Sequence, residues 1–281
     1  MAFSSSQLGY PPTILESFQE SLPNYTGEAP GAVVDTQLSG ESTKNTDPPK
    51  FWISLPEGFW VNHRASTLTK YHTYLLSAGL HKDFIYRKEK AITLLSEGDV
   101  TRAAALYLLH PVNQVMSALQ PEILCLSEYP AYQIRSDVVY KLGGRIFAIV
   151  EFKKRGIILK NEFNAAYLEL DKDENRRQDQ IKRHIASGRR KPGHSFFAGN
   201  SLKLIKQAAN YAMTHGAIHV AVFDWDHLLL ITFRFNTSPN LVTRRENGPG
   251  DHCRIQTVSG NSVHLRAALL GFLFEAARNY E

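Results

Sequence analysis

The sequence predicts an α/β fold in which a mixed β-sheet is flanked by helices. Segments with apolar residues at helical spacing alternate with short runs rich in Val, Ile and Phe, and this alternation is typical of the class. The chain has 281 residues, of which 43% are apolar, enough for a sizeable core. No internal repeat or long Pro/Gly/Ser-rich linker interrupts the sequence after residue 50. We therefore predict one domain over residues 51–281.

Residues 1–50 differ from the remainder in composition. They hold six prolines and six acidic residues against two lysines. Such a segment buries too little apolar surface to offset the entropy of ordering, so we predict a disordered leader. Because the whole chain carries a net charge of +5 and the leader is acidic, the predicted domain is the more basic part, which suits a polyanionic partner.

Several classes of protein are disfavoured by missing signals. The two cysteines, Cys125 and Cys253, lack the spacing of a disulfide framework or a zinc cage. There is no secretory signal, and no apolar run approaches the ~20 residues of a membrane span. The GxGxxG, P-loop, GxSxG and HExxH motifs do not occur. We expect an intracellular protein, nuclear or cytoplasmic, without a membrane partner.

The first helix of the predicted core begins at about Ser96. Ser96 and Asp99 form a capping-box-like start, and Pro111 should kink or restart the helix, which continues to about residue 120. Its apolar stripe consists of Val100, Ala103, Ala104, Tyr107 and Leu108.

Three β-like runs follow, over residues 123–126, 136–142 and 145–152. The last two are separated by Gly143-Gly144, which predicts a hairpin.

The second half of the core repeats the pattern of a helix and two strands. A helix is predicted over residues 201–215, with Asn200 or Ser201 as its cap and Gly216 as its left-handed end. Two further strands follow, over residues 218–223 and 228–235, and a closing helix is capped by Ser262.

Charged residues in otherwise apolar strands mark the candidate site. Asp137 lies in one strand of the hairpin, and Glu151 and Lys153 share one face of the other. Two carboxylates would hold Mg²⁺ or Mn²⁺, while the lysine orients a water or stabilises negative charge on a phosphate. The alternative is an ordinary strand-start aspartate and an edge-strand charge pair that faces water.

The hairpin register decides whether Asp137 and Glu151 meet. A two-residue Gly143-Gly144 turn alone sets Asp137 opposite Val150, with the carboxylates on opposite faces of the sheet. A three-residue loop, splayed strands or a β-bulge would bring them together.

These residues resemble the PD-(D/E)xK nuclease superfamily, over roughly residues 96–235. The resemblance rests on Ser136-Asp137, on Glu151-Phe152-Lys153 and on a helix with Gln207 four residues before Tyr211. It departs from the signature because Ser136 replaces a proline and because an insertion spans about residues 155–198.

The resemblance implies a restriction-endonuclease-like three-layer core and a role for each residue. Asp137 and Glu151 would be metal ligands, with Glu97 as a third, and Lys153 would activate water or stabilise charge. Gln207 and Tyr211 would be auxiliary residues of the active site. The alternatives are packing for Gln207 and Tyr211, and a helix-dipole role for Glu97.

A basic segment runs from Lys153 to Lys191 and contains twelve Lys or Arg residues. Its Arg176-Arg177 and Arg189-Arg190-Lys191 clusters would contact phosphates, or else the segment is a charged surface arm. A helical stripe within it comprises Phe163, Ala166, Tyr167 and Leu170.

Two other groups of polar residues carry weaker signals. Asp224 and Asp226 lie between two strands and suggest a turn rather than a site. His215 and His219 have i, i+4 spacing, but Gly216 should end the helix between them, so a metal pair is not expected.

The sequence therefore predicts a metal-dependent nuclease that acts on nucleic acid, with DNA favoured over RNA. Two alternatives stay open: a non-catalytic nucleic-acid or protein-interaction module on the same fold, and a scaffold used for small-molecule chemistry.

Overall fold

A computed structural model describes residues 11–25, 46–55, 58–86, 89, 93–131, 134–234, 240, 242–243 and 248–279 of the chain. Within them, seven strands form one sheet in the order β1-β7-β6-β5-β4-β3-β2. The sheet is mixed: β4 pairs with β5, and β1 with β7, in parallel, whereas the other neighbours are antiparallel. Helices cover both faces, as the sequence predicts. The strands are β1 (Phe51–Ser54), β2 (Leu124–Ala131), β3 (Ile134–Leu142), β4 (Arg145–Phe152), β5 (His219–Phe223), β6 (His227–Thr232) and β7 (His252–Ser259).

Two apolar cores lie on opposite faces of the sheet. Val138 and Val150 point into the core made with α1 to α4 and α8, whereas Val139 and Ile149 point into the core under α5 and α7. Because β4 and β5 are buried on both faces, they are almost wholly apolar, and a charged residue in β4 stands out. The helices are α1 (Phe59–Lys70), α2 (His72–Ser77), α3 (Glu97–Ala104), α4 (His110–Leu119), α5 (Lys160–Asn164), α6 (Glu174–Gly188), α7 (Gly199–His215) and α8 (Leu265–Arg278).

The β3–β4 hairpin combines a two-residue turn with a β-bulge. Gly143 and Gly144 have φ of 55° and 81°, as the twist-matched hairpin turn requires. Leu142 pairs with Arg145, but the register shifts between Lys141 and Tyr140, so that Val138 lies opposite Val150. The extra residue is Phe147, which is fully buried. One of the predicted ways of joining Asp137 and Glu151 is therefore present.

The helical segment that begins at Ser96 is continuous but changes pitch before Pro111. Ser96 and Asp99 form the predicted capping box. A π-helical turn (Ala105–Leu109) links α3 to α4, and Pro111 occupies the first turn of α4. Pro111 has no N–H for the carbonyl of Tyr107, one turn earlier, and the buried Arg266 Nε donates to that carbonyl at 2.6 Å instead.

The prediction of a disordered leader is wrong for residues 11–25, which are folded into the core, and for residues 46–50, where Lys50 is buried and donates its backbone N–H to the carbonyl of Asp251. Ile14 and Phe18 are fully buried, and Leu22 and Tyr25 join the same cluster. Arg266 also binds this segment, through the carbonyls of Ser17 and Glu20 at 2.9 and 2.8 Å. Composition averaged over residues 1–50 conceals a short run of apolar residues at near-helical spacing. Residues 1–10 and 26–45 lie outside the described residues.

The insertion is less helical at its start than its apolar stripe predicts. α5 ends at Asn164, and Ala166 and Leu168 form backbone hydrogen bonds with Trp52 of β1 instead. Tyr167, in the same short segment, packs its ring against that of Trp52. The side chains of residues 166–168 alternate between buried and exposed because this segment pairs with β1.

Helix caps and strand ends also differ from prediction. α7 starts at Gly199, two residues early, so Ser201 lies in its first turn, where its hydroxyl accepts from Ala198 N–H; Gly216 ends the helix with φ of 71°, as predicted. Ser262 does not cap α8, whose N-cap is His264. The strand predicted over residues 228–235 is shorter: β6 ends at Thr232, and Phe233 and Arg234 are described but lie outside it.

Candidate functional site

The site is centred on Glu151, near the carboxyl end of β4, and on Lys153, the first residue after this strand. Their side chains lie on the same face of the sheet. Phe152 between them points into the opposite core. The backbone N–H of Lys153 donates to the carbonyl of Phe223 at 2.8 Å, continuing the parallel pairing with β5 and fixing the lysine where β4 ends. Both charged side chains are buried, each residue being 4% exposed, and Lys153 Nζ lies 2.7 Å from Glu151 Oε1.

Asp137 lies beside this pair because of the β-bulge. The pairing of β3 with β4 ends at Val138 and Val150, and Asp137 and Glu151 are the next residues along the two strands; the charge of Asp137 acts on Glu151. The Asp137 Oδ2 atom accepts the backbone N–H of Phe152 at 2.8 Å, which ties the aspartate to the strand of the glutamate. The two carboxylates therefore meet on the face covered by α7.

Helix α7 supplies two polar side chains to the same glutamate. Gln207 and Tyr211 are one turn apart, so they share a helix face. Gln207 Nε2 and the Tyr211 hydroxyl each donate to Glu151 Oε1 at 3.1 Å, and Gln207 Nε2 also donates to the tyrosine oxygen at 2.7 Å. Oε1 of Glu151 thus accepts from three groups, including Lys153.

The second carboxylate oxygen of Glu151 and the side-chain oxygen of Gln207 accept no hydrogen bond from the described residues. These atoms, Glu151 Oε2 and Gln207 Oε1, are both buried. Buried acceptors are normally satisfied, and an unsatisfied one costs free energy. A pair of unfilled acceptor atoms beside a second carboxylate is suited to a bound cation or its water.

Glu97 reaches the site from the other layer. It is the first residue of α3, and its Oε2 lies 3.4 Å from Lys153 Nζ. Its side chain is half-exposed, so the site opens to solvent on this side. Glu97 contacts the lysine rather than the two carboxylates, so the structure gives it a position beside the ammonium and not in a shared ligand set.

Burial and charge shift the pKa values of the central groups. Burial raises the pKa of Glu151 to about 7, opposed by Lys153 and reinforced by the charge of Asp137. For Lys153, burial favours the neutral form, but the carboxylates of Glu151 and Glu97 outweigh it and raise the pKa. Burial, together with the charge of Glu151, raises the pKa of Tyr211, which stays a hydroxyl donor.

The residues fit one Mg²⁺ or Mn²⁺ better than a larger metal cluster. No group of three or more His, Cys, Asp or Glu side chains in the described part of the chain is arranged to hold a metal. Mg²⁺, however, is commonly held by one or two carboxylates while keeping several waters. Asp137 and the unpartnered Oε2 of Glu151 meet that requirement.

A further contact, between Ser136 and His215, was not anticipated from the sequence. The hydroxyl of the fully buried Ser136 lies 2.9 Å from His215 Nε2. His215 stands one turn after Tyr211, so Gln207, Tyr211 and His215 follow one line along α7, from β4 to β3. The four-residue spacing is visible in the sequence, but the serine partner is 79 residues away.

The other predicted groups lie outside the site. Asp224 makes a turn, as expected, and accepts the N–H groups of Ile158 and His227. Asp226 is ion-paired with Arg155. His219 is buried in β5 and packs edge-on against Phe272 of α8, whereas His215 contacts Ser136.

The basic clusters of the insertion lie at the far edge of the sheet. α6 packs beside β1, and β1 is four strands from β4, so about 19 Å separate them along the sheet. Two of the predicted phosphate contacts are engaged within the protein: Arg177 with Glu174 at 2.7 Å, and Arg189 with Asp251 at 3.1 Å.

Comparison with known proteins yields no relative. No protein-family model, no curated protein and no solved structure matches the chain. None of the helices in the described ranges combines the length and the apolar character that crossing a bilayer requires.

Proposed function

We propose that the chain is a metal-dependent nuclease with a restriction-endonuclease-like core, which hydrolyses phosphodiester bonds of nucleic acid, DNA foremost. The observation that supports this proposal is the convergence of Asp137, Glu151 and Lys153 at the end of β4. These residues come from two strands whose register requires a bulge. β-Bulges occur preferentially next to active sites, where they re-aim side chains, and this supports a functional role for the convergence.

Each side chain has a distinct task in this proposal. Asp137 and Glu151 Oε2 would hold Mg²⁺ or Mn²⁺, and Gln207 and Tyr211 orient Glu151 through its other oxygen. When bound, the cation supplies Lewis-acid polarisation and lowers the pKa of a water. Lys153 places a fixed positive charge where negative charge develops on the phosphoryl group.

Glu97 holds the ammonium of Lys153 on its solvent side. With Glu151 on the other side, this contact keeps the lysine charged and directed towards the opening of the site. We therefore assign Glu97 to the positioning of Lys153.

The test is cleavage of single- and double-stranded DNA and RNA by the purified chain, in Mg²⁺, Mn²⁺ or a chelator. We expect turnover only with a cation, and a loss of about 10²-fold or more in Asp137→Asn and in Lys153→Met. Asp83→Asn and Lys82→Met, at exposed positions, are the matched controls. Circular dichroism establishes that each variant is folded. Unchanged turnover in Asp137→Asn, or no turnover on any substrate, would refute the proposal.

A second candidate is a non-catalytic nucleic-acid-binding module. It is favoured by the direct ion pair between Glu151 and Lys153, which satisfies both charges without a cation. Salt-dependent binding of nucleic acid without turnover in any cation would select this alternative.

A further inference from the structure

Helix α6 presents a line of arginines to solvent. Arg176, Arg183 and Arg190 are exposed and lie seven residues apart; the first two are in the helix, and Arg190 is the second residue after its end. Seven residues are close to two helical turns, so Arg176 and Arg183 share one side of α6 about 10.5 Å apart, and Arg190 follows them in the turn that ends the helix. We call these three residues the α6 arginine line.

The opposite side of α6 is fixed to the sheet. Ile181 and Ile185 pack against the cluster around Phe51. The ring of His184 lies edge-on to Phe51, with 4.8 Å between centroids, and stacks on Phe196 at 4.2 Å. Because this underside is packed, the α6 arginine line is held in one orientation relative to the domain.

The arginines of the line differ from neighbouring charged residues in their ion pairing. Arg177 and Arg189 are ion-paired, and Lys182 lies 3.9 Å from Asp179. No carboxylate of the described residues forms an ion pair with Arg176, Arg183 or Arg190. Arg183 and Arg190 do donate from Nε to the carbonyls of Asp179 and Ala186, which orders the side chains and leaves the outer guanidinium nitrogens for a ligand.

We infer that the α6 arginine line is a phosphate-binding surface for a nucleic-acid strand, separate from the carboxylate site. The inference rests on the proposed function only in taking nucleic acid as the partner. The planar guanidinium group forms bidentate hydrogen bonds with phosphate. A series of regularly spaced, fixed cations also complements the regularly spaced negative charges of a nucleic-acid backbone.

The α6 arginine line and the carboxylate site lie at different parts of the sheet. β1, which packs beside α6, is four strands from β4. Phe51 and Ile53 pack against α6, whereas Trp52 between them lies in the core under α7, on the face that carries the carboxylates. The line is therefore a surface of its own, and its binding of phosphate does not depend on the geometry of the site.

An anionic membrane is a poorer partner for the same charges. A helix that binds a membrane surface inserts its apolar face between the headgroups. The apolar face of α6 is occupied by Phe51 and Phe196, so only charge would remain to bind lipid.

The experiment measures the salt dependence of binding by the full chain to a labelled DNA duplex in chelator, where cleavage does not intervene. Each phosphate neutralised contributes about 0.9 to the slope of log K against log salt concentration. We expect R176Q/R183Q/R190Q to reduce that slope by about 2.7 and to weaken binding at every salt concentration. R176K/R183K/R190K, which keeps the charge, should retain most of the slope.

The matched control is K82Q/R102Q/R278Q, which removes the same charge at exposed positions elsewhere. Arg102 and Arg278 are ion-paired with Glu89 and Glu275. A wild-type slope in R176Q/R183Q/R190Q, or an equal reduction in the control, would overturn the inference. The inference would also be overturned if R176Q/R183Q/R190Q lost binding to phosphatidylserine vesicles but retained binding to the duplex. A reduced slope in a chain that cleaves nothing would refute the nuclease and leave this surface standing.

Discussion

Substitution of Tyr211 by phenylalanine tests whether α7 prepares Glu151 for a cation. The hydroxyl of Tyr211 is one of three donors to Glu151 Oε1, at 3.1 Å, while Lys153 and Gln207 contribute the others. The change removes this donor, together with the oxygen that accepts from Gln207 Nε2, and leaves the ring packed. A hydrogen bond to a charged acceptor contributes about 1.5–3 kcal/mol, and 1.36 kcal/mol corresponds to a factor of ten. We therefore expect the affinity for Mn²⁺ to fall about 10- to 100-fold, the range seen when the supporting partners of metal ligands are removed.

Calorimetric titration of Mn²⁺ into the nucleic-acid-free protein measures this effect without relying on turnover. Tyr74→Phe, at an exposed tyrosine of α2, is the control and should leave the affinity unchanged. Gln207 Nε2 also donates to the Tyr211 oxygen, so Gln207→Leu and Tyr211→Phe should be non-additive in the double variant. Wild-type Mn²⁺ affinity in Tyr211→Phe would show that the hydroxyl serves packing alone.

Two further predictions concern stability. Arg266→Met leaves the carbonyls of Tyr107, Ser17 and Glu20 without their donor. We expect the free energy of unfolding to fall by about 3 kcal/mol and proteolysis within residues 11–25 to become faster. An unchanged denaturation curve would contradict this expectation. Burial lowers the pKa of His219 to about 4 from 6.5, so its neutral form contributes stability that is present above pH 6.5 and is lost as the pH falls towards 4, by about 3 kcal/mol. The difference in unfolding free energy between wild type and His219→Leu, measured across that range, should follow this course, and parallel pH profiles would refute it.

The hairpin shows how far local sequence determines the site. Gly143-Gly144 between two apolar runs predicts the turn, and the strand limits of β4 agree with the prediction at both ends. The sequence does not determine the register, because the bulge also depends on packing: Phe147 and Ala148, adjacent in sequence, both face the same core. Which residue is inserted is decided by the helices that cover that face, and these are distant in sequence.

For the packed segment of residues 11–25, in contrast to the hairpin, local sequence predicts the wrong state. Average composition describes residues 1–50 as a polar, proline-rich leader, yet Ile14 and Phe18 are as buried as any residue of the sheet. Their partners lie on α8, at the other end of the chain, and Arg266 reaches Ser17 across 249 positions. No window of sequence contains both halves of that interaction.

The sequence predicts neither the edge strand β1 nor its neighbour β7. β1 has only four residues, and its parallel partner β7 lies about 200 positions later, with Phe51 opposite His252. A strand as short as β1, followed closely by a helix, gives too little local alternation to detect. Phe51 and Ile53 are buried against α6, and this packing stabilises the edge strand β1.

The contact of Ser136 with His215 links these observations to the site. A buried serine occupies the position before Asp137. Its hydroxyl lies 2.9 Å from His215 of α7, the helix that also contacts Glu151 through Gln207 and Tyr211. One helix thus fixes both strands of the hairpin on either side of the bulge, so the separation of the two carboxylates depends on α7 as much as on the turn that joins their strands.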